Sequence, residues 1–185
     1  MIRIAVFASG NGTNAENIIK YFAKSTKAKV VLVLSNNKDA KVLDRAKHLN
    51  VRSLCFSKKD LNNSDKLNKL LLKEVDFIVL AGFLLKIPNS LIHLFPKKII
   101  NIHPALLPKY GGKGMFGMHV HQAVKDNNEK ETGITIHYVN ENYDEGAIIF
   151  QKKIAVSHAD SPLSIANKIH KLEYEFFPII INKLL

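Results

Sequence analysis

Cysteine and arginine are scarce in this sequence, and an apolar run of membrane length is missing. The 185 residues include one cysteine, Cys55, so no internal disulfide can form. A reducing, cytoplasmic setting is the default for such a chain. No apolar stretch reaches the roughly 18 residues that a membrane span requires. The opening "MIRIAVFASGNG" breaks too early for a secretory signal peptide. Arg3, Arg45 and Arg52 are the only arginines among 27 basic residues, and the net charge is +11. That charge alone would suggest nucleic acid or anionic substrates. The lysines that make it up are scattered and form no long basic block. Lysine is a solvated point charge, whereas bidentate reading of bases and phosphates favours arginine. The charge therefore reads as solvated surface, with some steering of anionic substrates.

Strands and helices alternate through the first hundred residues. "IRIAVFAS" (2–9) is continuous, apolar and β-branched, as a strand buried on both faces should be. Thr13 or Asn14 is placed to cap a helix over 15–24. "KVVLVLS" (29–35) is a second buried strand, and Asp39 is placed to cap a helix running to Asn50. "VRSLCF" (51–56) is a third strand, with Cys55 read as a small buried hydrophobe. Ser64 starts a helix with Leu67, Leu70 and Leu71 at helical spacing. "DFIVLA" (76–81) and "KKIINIH" (97–103) complete five strands. This rhythm predicts an α/β fold with a Rossmann-like, mostly parallel sheet flanked by helices. After His103, "TGITIHYVN" (132–140) and "GAIIFQKKIAV" (146–156) read as a C-terminal antiparallel strand pair. A long final helix over 161–184 follows, capped by Ser161 and started by Pro162. Pro178 should kink or end it. No internal repeat or linker divides the chain, so one domain over 1–185 is expected.

"SGNGTNA" (9–15) joins the first strand to a helix. Gly10, Gly12 and Ala15 fit the dinucleotide fingerprint, but the second strand ends in "SNN" without the acidic residue that would hold a ribose. The loop still suits an anion, because glycines let the backbone approach and a helix N-terminus offers free N–H groups. A plain tight turn is the simpler alternative.

"NIHPALLPKYGGKG" (101–114) sets an amide and an imidazole two residues apart at the end of a strand. Such side chains share a face, roughly 6.5 Å apart. Carboxyl ends of parallel strands are where open α/β sheets bind ligands. Pro104 and Pro108 stiffen the exit, and Gly111, Gly112, Gly114 and Gly117 suggest a flap over 111–121 that can close. Acyl transfer to an amine suits this pair. An amide N–H₂ stabilises the oxyanion of a tetrahedral intermediate, and an imidazole moves protons near neutral pH. A carboxylate should orient the imidazole; "NENYDEGA" (140–147) offers Asp144, with Glu141 and Glu145 as rivals. His119, His121, His103, His137 and Asp144 could supply zinc ligands, but no metal signature supports it and no metal is expected. His137 either supports the site or simply packs.

Several of these segments in this order resemble the phosphoribosylglycinamide formyltransferases. The likeness rests on "SGNGTN" (9–14), "SNN" (35–37), "LAGFLLKI" (80–87), "NIHPALLPKY" (101–110), "TGITIHYV" (132–139) and "DEG" (144–146), and covers essentially the whole chain. It implies formyl transfer from 10-formyltetrahydrofolate, as co-substrate, to the amine of glycinamide ribonucleotide, in purine biosynthesis. It implies a catalytic trio of Asn101, His103 and Asp144. Gly12, Thr13, Asn14 and Glu173, with His170 one turn before it, would bind the ribonucleotide and its phosphate. Leu84, Leu85, Lys86, Ile87, Asn101, Asn140, Glu141, Asn142 and Tyr143 would bind the folate. The halves 1–100 and 101–185 would then serve phosphate binding, and catalysis with folate binding, respectively. Two departures stand out: "LLKI" lacks the arginine common in that folate segment, and the flap is longer than in many relatives.

The resemblance implies small-molecule partners, no nucleic acid or membrane, and a monomer or weak homodimer. A methionyl-tRNA formyltransferase would carry a further C-terminal domain, and a formyltetrahydrofolate hydrolase an N-terminal one; neither is expected here. A basic α/β module that only binds nucleic acid remains the alternative from another class.

Overall fold

A computed structural model of the protein describes residues 1–63 and 65–185. The elements run β1 (Ile2–Phe7), α1 (Thr13–Phe22), β2 (Ala28–Ser35), α2 (Lys41–His48), β3 (Arg52–Cys55), α3 (Lys58–Asn63) and α4 (Asp65–Glu74). They continue β4 (Phe77–Leu80), α5 (Asn89–Leu94), β5 (Ile99–His103), α6 (Met118–Asp126), β6 (Glu131–Tyr138), β7 (Ile148–Ala155) and α7 (Pro162–Leu184). One sheet takes all seven strands in the order β3-β2-β1-β4-β5-β6-β7. Pairing is parallel from β3 to β5 and antiparallel from β5 to β7. The chain steps outward from β1 to β3, then returns to β4 on the other side of β1. That reversal opens a crevice at the carboxyl ends of β1 and β4.

Alternation along each strand feeds two cores. Ile4 and Val6 join α1 and α7 residues such as Ile18, Phe22, Ile169 and Phe177 on one face. Ala5 and Phe7 join Leu61, Leu71 and Leu91 on the other. Both faces are covered, which is why the parallel strands read as unbroken apolar runs.

Several local expectations are corrected. Helix α1 takes no side-chain cap from Thr13 or Asn14: its N-cap is Gly12, at φ 73°. A Cβ at Gly12 would lie 2.3 Å from Val42 Cγ2, so α2 packs directly onto the loop. Arg45 of α2 braces the same loop, donating from Nε to Asn11 O at 2.8 Å and pairing with Glu16. Asp39 does not cap α2; Ala40 holds that position, and the Asp39 N–H donates to Asn37 Oδ1. Cys55 is exposed, because β3 is an edge strand with little above it. The expected cap at Ser64 lies outside the described residues.

Ser161 does cap α7, accepting from Ser164 N at 3.1 Å. Pro178, however, does not end the helix, which runs on to Leu184. A helical proline leaves the carbonyl four residues earlier without its donor. Here that carbonyl belongs to Tyr174, and Asn17 Nδ2 of α1 donates to it at 2.8 Å. A tertiary contact replaces the missing helical one.

Gly146, in the β6–β7 connection, admits no side chain: a Cβ there would lie 1.7 Å from Tyr138 O. Gly146→Ala should therefore destabilise the protein by about 1–3 kcal/mol, the usual scale for overpacking. Thermal unfolding followed by circular dichroism checks this, and an unchanged midpoint would contradict the contact.

Candidate active site

Strand β5 ends in Asn101 and His103, and the antiparallel register sets His137 opposite Asn101 and Thr135 opposite His103. Thr135, fully buried, donates through Oγ1 to Ala105 O at 2.7 Å and accepts from Leu107 N at 3.0 Å. This hydroxyl, and not proline stiffness alone, fixes the path of the chain leaving β5. Asp144 arrives from the β6–β7 connection in the left-handed region, at φ 56°.

These side chains converge. Asn101 Nδ2 donates to Asp144 Oδ1 at 3.4 Å and lies 3.2 Å from His137 Nε2. His103 Nδ1 lies 3.6 Å from Asp144 Oδ2, and His137 Nε2 lies 3.6 Å from Asp144 Oδ1. The N–H of Gly112, in the glycine flap, donates to Asp144 Oδ2 at 2.9 Å. His103 Nε2 lies 2.7 Å from Tyr110 O. Burial lowers the His103 pKa, and this outweighs the opposing pull of Asp144. Burial alone would raise Asp144, but His137, the nearby His103 and the Gly112 N–H together hold it below the usual carboxylate range. At neutral pH the pair is thus an ionised carboxylate beside a neutral imidazole, and can take up one proton. The long Asn101–Asp144 contact leaves an amide N–H able to turn towards another acceptor.

Two cavities meet here. The larger, about 580 Å³, runs from the Gly10–Asn14 loop past His103 to the flap, with His121, His170 and Glu173 in its wall. The smaller, about 60 Å³, is lined by Leu85, Lys86, Ile87, His137, Asn140 and Asn142 among others. Asn101, Tyr143, Asp144 and Phe83 line both. Because no side chain caps α1, the first N–H groups of that helix remain available to an anion in the larger cavity. Asn14 instead donates to Glu173 Oε2 at 2.8 Å, and its own Oδ1 is buried without a partner. Buried His121 also has an unpartnered ring nitrogen, Nδ1, and burial pulls its pKa down to about 4.

The structure brings Asn101, His103 and Asp144 to one point, and Gly12, Thr13, Asn14, His170 and Glu173 to one end of the larger cavity. Leu84 faces the larger cavity; Leu85, Lys86 and Ile87 face the smaller, and Lys86 Nζ stands 5.9 Å over the Tyr143 ring. Glu141 lines neither cavity and sits 3.5 Å from His93, exposed. Sequence reasoning left His137 undecided and overlooked Tyr110 and Thr135. A pairing register would have singled out His137, since it alone sets that residue beside Asn101. No group of three or more His, Cys, Asp or Glu residues arranged for a metal ion occurs among the described residues.

Glu173 gives a pH prediction. It is 6% exposed, and burial pushes its pKa up to about 7, opposed by the Asn14 hydrogen bond. The folded state therefore binds the proton more tightly than the unfolded state. The stabilisation from that proton is complete below the ordinary glutamate range and disappears as the pH rises through 7. Glu173→Gln, which keeps an acceptor for Asn14, should be more stable than the parent at pH 8 and equal to it at pH 4. Urea unfolding at both values checks this; a variant no more stable at pH 8 would contradict it.

Comparison with known proteins agrees with this geometry. The formyl transferase family model matches residues 2–181. A phosphoribosylglycinamide formyltransferase of Bacillus subtilis is 38% identical over 191 residues, covering 100% of this chain and 95% of that protein. A chloroplastic phosphoribosylglycinamide formyltransferase of Arabidopsis thaliana is 38% identical over 189 residues; the match covers 98% of this chain and 65% of the plant protein. The crystal structure of glycinamide ribonucleotide transformylase 1 from Geobacillus kaustophilus is similar at a TM-score of 0.88 and 35% identity, covering 100% of this chain and 99% of that one. Sequence, fold and the converging side chains thus lead to one assignment: the chain belongs to the formyl transferase family.

Proposed function

We infer that this chain transfers a formyl group from 10-formyltetrahydrofolate to the amine of glycinamide ribonucleotide, a step of purine biosynthesis. One observation carries the reading: Asn101 and Asp144 line two adjoining cavities at once. Groups that carry out transfer between two bound molecules must stand where both end. The ribonucleotide takes the larger cavity, its phosphate on the Gly12, Thr13 and Asn14 loop and its glycinamide end near His170 and Glu173. The folate lies along Leu84–Ile87, Asn140–Tyr143 and Asn101. The division of labour between 1–100 and 101–185 is accordingly incomplete, since His170 and Glu173 return from the final helix to the phosphate end.

The uncharged amine attacks the formyl carbon. A carbon–nitrogen bond forms and the carbonyl electron pair moves onto oxygen. An Asn101 N–H, released from its long contact with Asp144, donates to that oxyanion, and His103 supports it electrostatically once it shares the proton that Asp144 takes up. The amine nitrogen, now cationic, passes a proton to Asp144, directly or through a water. Asp144 returns that proton, directly or through a water, to the folate nitrogen as its bond to carbon breaks and the oxyanion collapses to the new formamide. The chain works as a monomer or weak homodimer in the cytoplasm, and among the described residues no helix is long and apolar enough to cross a membrane.

An absorbance assay with formylated folate and glycinamide ribonucleotide tests the reading. Deformylated folate should appear only when the ribonucleotide is present; release without it would mean hydrolysis. One oxyanion donor is worth about 3 kcal/mol, so Asn101→Ala should lower kcat by about 100-fold or more while the protein stays folded. Near-normal turnover would remove Asn101 from the mechanism.

A further inference from the structure

His103 has a second contact that the transfer mechanism leaves unused. Its Nε2 lies 2.7 Å from the carbonyl oxygen of Tyr110. A carbonyl can only accept, so Nε2 carries the hydrogen. In the neutral ring Nδ1 then holds the lone pair, and Nδ1 is the atom 3.6 Å from Asp144 Oδ2. Two electron-rich atoms face each other, and a proton placed between them is held by both. The opposite tautomer would put a hydrogen against Asp144 and leave Nε2 pointing its lone pair at a carbonyl.

The Tyr110 carbonyl points at His103 from an uncommon backbone position. Tyr110 has φ 56°, a region that disfavours side chains larger than glycine. Its side chain holds it there. The phenol donates to Glu129 Oε1 at 2.9 Å, and Lys109 Nζ donates to the same oxygen at 2.8 Å. Burial pushes the phenol up to about 12, so it remains a donor. Glu129 is fixed in turn just beyond α6, where its N–H donates to Val124 O at 3.2 Å. The titratable groups facing His103 itself are Asp144, His137 and His121.

We propose that Tyr110, anchored by Glu129, is a positioning residue that holds His103 as its Nε2–H tautomer and so makes Nδ1 the nitrogen that exchanges a proton with Asp144. The proposal rests on the catalytic reading of His103, and its test separates the two. The protein is labelled with ¹⁵N-histidine, and His103 is assigned by its loss in His103→Gln. Ring nitrogen shifts and two-bond couplings report the tautomer, while kcat and KM are measured for both substrates.

In the parent, neutral His103 should carry its hydrogen on Nε2. Tyr110→Phe and Glu129→Ala should each introduce the Nδ1–H form and lower kcat about tenfold, the scale of one misplaced hydrogen bond. KM for both substrates should stay within about twofold, as expected when only the reacting geometry is disturbed. Glu129→Gln keeps an acceptor for the phenol and should retain both the parent tautomer and the parent rate. Thermal midpoints confirm that each variant is folded; Tyr110→Phe preserves packing and remains informative should Glu129→Ala unfold. A parent carrying hydrogen on Nδ1, or a Tyr110→Phe variant with unchanged tautomer and unchanged kcat, would overturn the proposal. A shifted tautomer with an unchanged rate would uphold the positioning role and overturn the catalytic reading of His103 instead.

Discussion

Asp144 is where the molecule's separate parts meet. Its two oxygens face the Asn101 amide, the Gly112 N–H, His103 and His137. Those groups come from β5, the flap and β6, and Asp144 itself from the β6–β7 connection. A half-buried carboxylate is tolerated only where donors and partial positive charges surround it. The chain satisfies that need by drawing four stretches of backbone to one place. The same groups that make Asp144 affordable keep it ionised and keep it beside a neutral histidine. Stability of the carboxylate and readiness for proton transfer are therefore one arrangement.

The sheet explains why that place is also open to ligands. Parallel strands through β5 give a common carboxyl edge, and the chain reversal between β1 and β4 leaves room above it. The switch to antiparallel pairing at β6 then brings His137 and Thr135 alongside β5 from the opposite direction. A purely parallel sheet would have placed a helix there. Charge is deployed with similar economy. Arg3 is paired with Asp76, Arg45 with Glu16 and Arg52 with Glu74. All three arginines thus serve the scaffold, which leaves an anion in the larger cavity to the free N–H groups at the start of α1 and to Lys113 of the flap.

Much of this was legible in the sequence, for identifiable reasons. Apolar runs such as 2–9 and 29–35 announced doubly covered strands, because nothing else buries so many β-branched residues in succession. Asn101 and His103 were readable because period two puts them on one face, and Asp144 because a turn glycine follows two residues later. What escaped depended on residues distant in the chain. His137 gains its position only from strand register. Pro178 continues its helix only because Asn17 replaces a lost donor. Thr13 and Asn14 looked like caps, yet Val42 presses on Gly12 and Asn14 turns to Glu173 instead. Cys55 looked like core, but edge position and not residue type decided its exposure.

The bond from Asn17 to the Tyr174 carbonyl has a wider bearing. Helix α1 carries Asn14 and helix α7 carries His170 and Glu173, so these two helices together build one end of the larger cavity, joined there by the Asn14–Glu173 hydrogen bond. The proline at 178 frees the carbonyl that clips them together, and it does so on the outer surface. The shape of that end is consequently set from behind, by a bond whose partners line neither cavity. Sequence drift at Asn17 or Pro178, neither of which lines either cavity, would retune how that end receives a ligand.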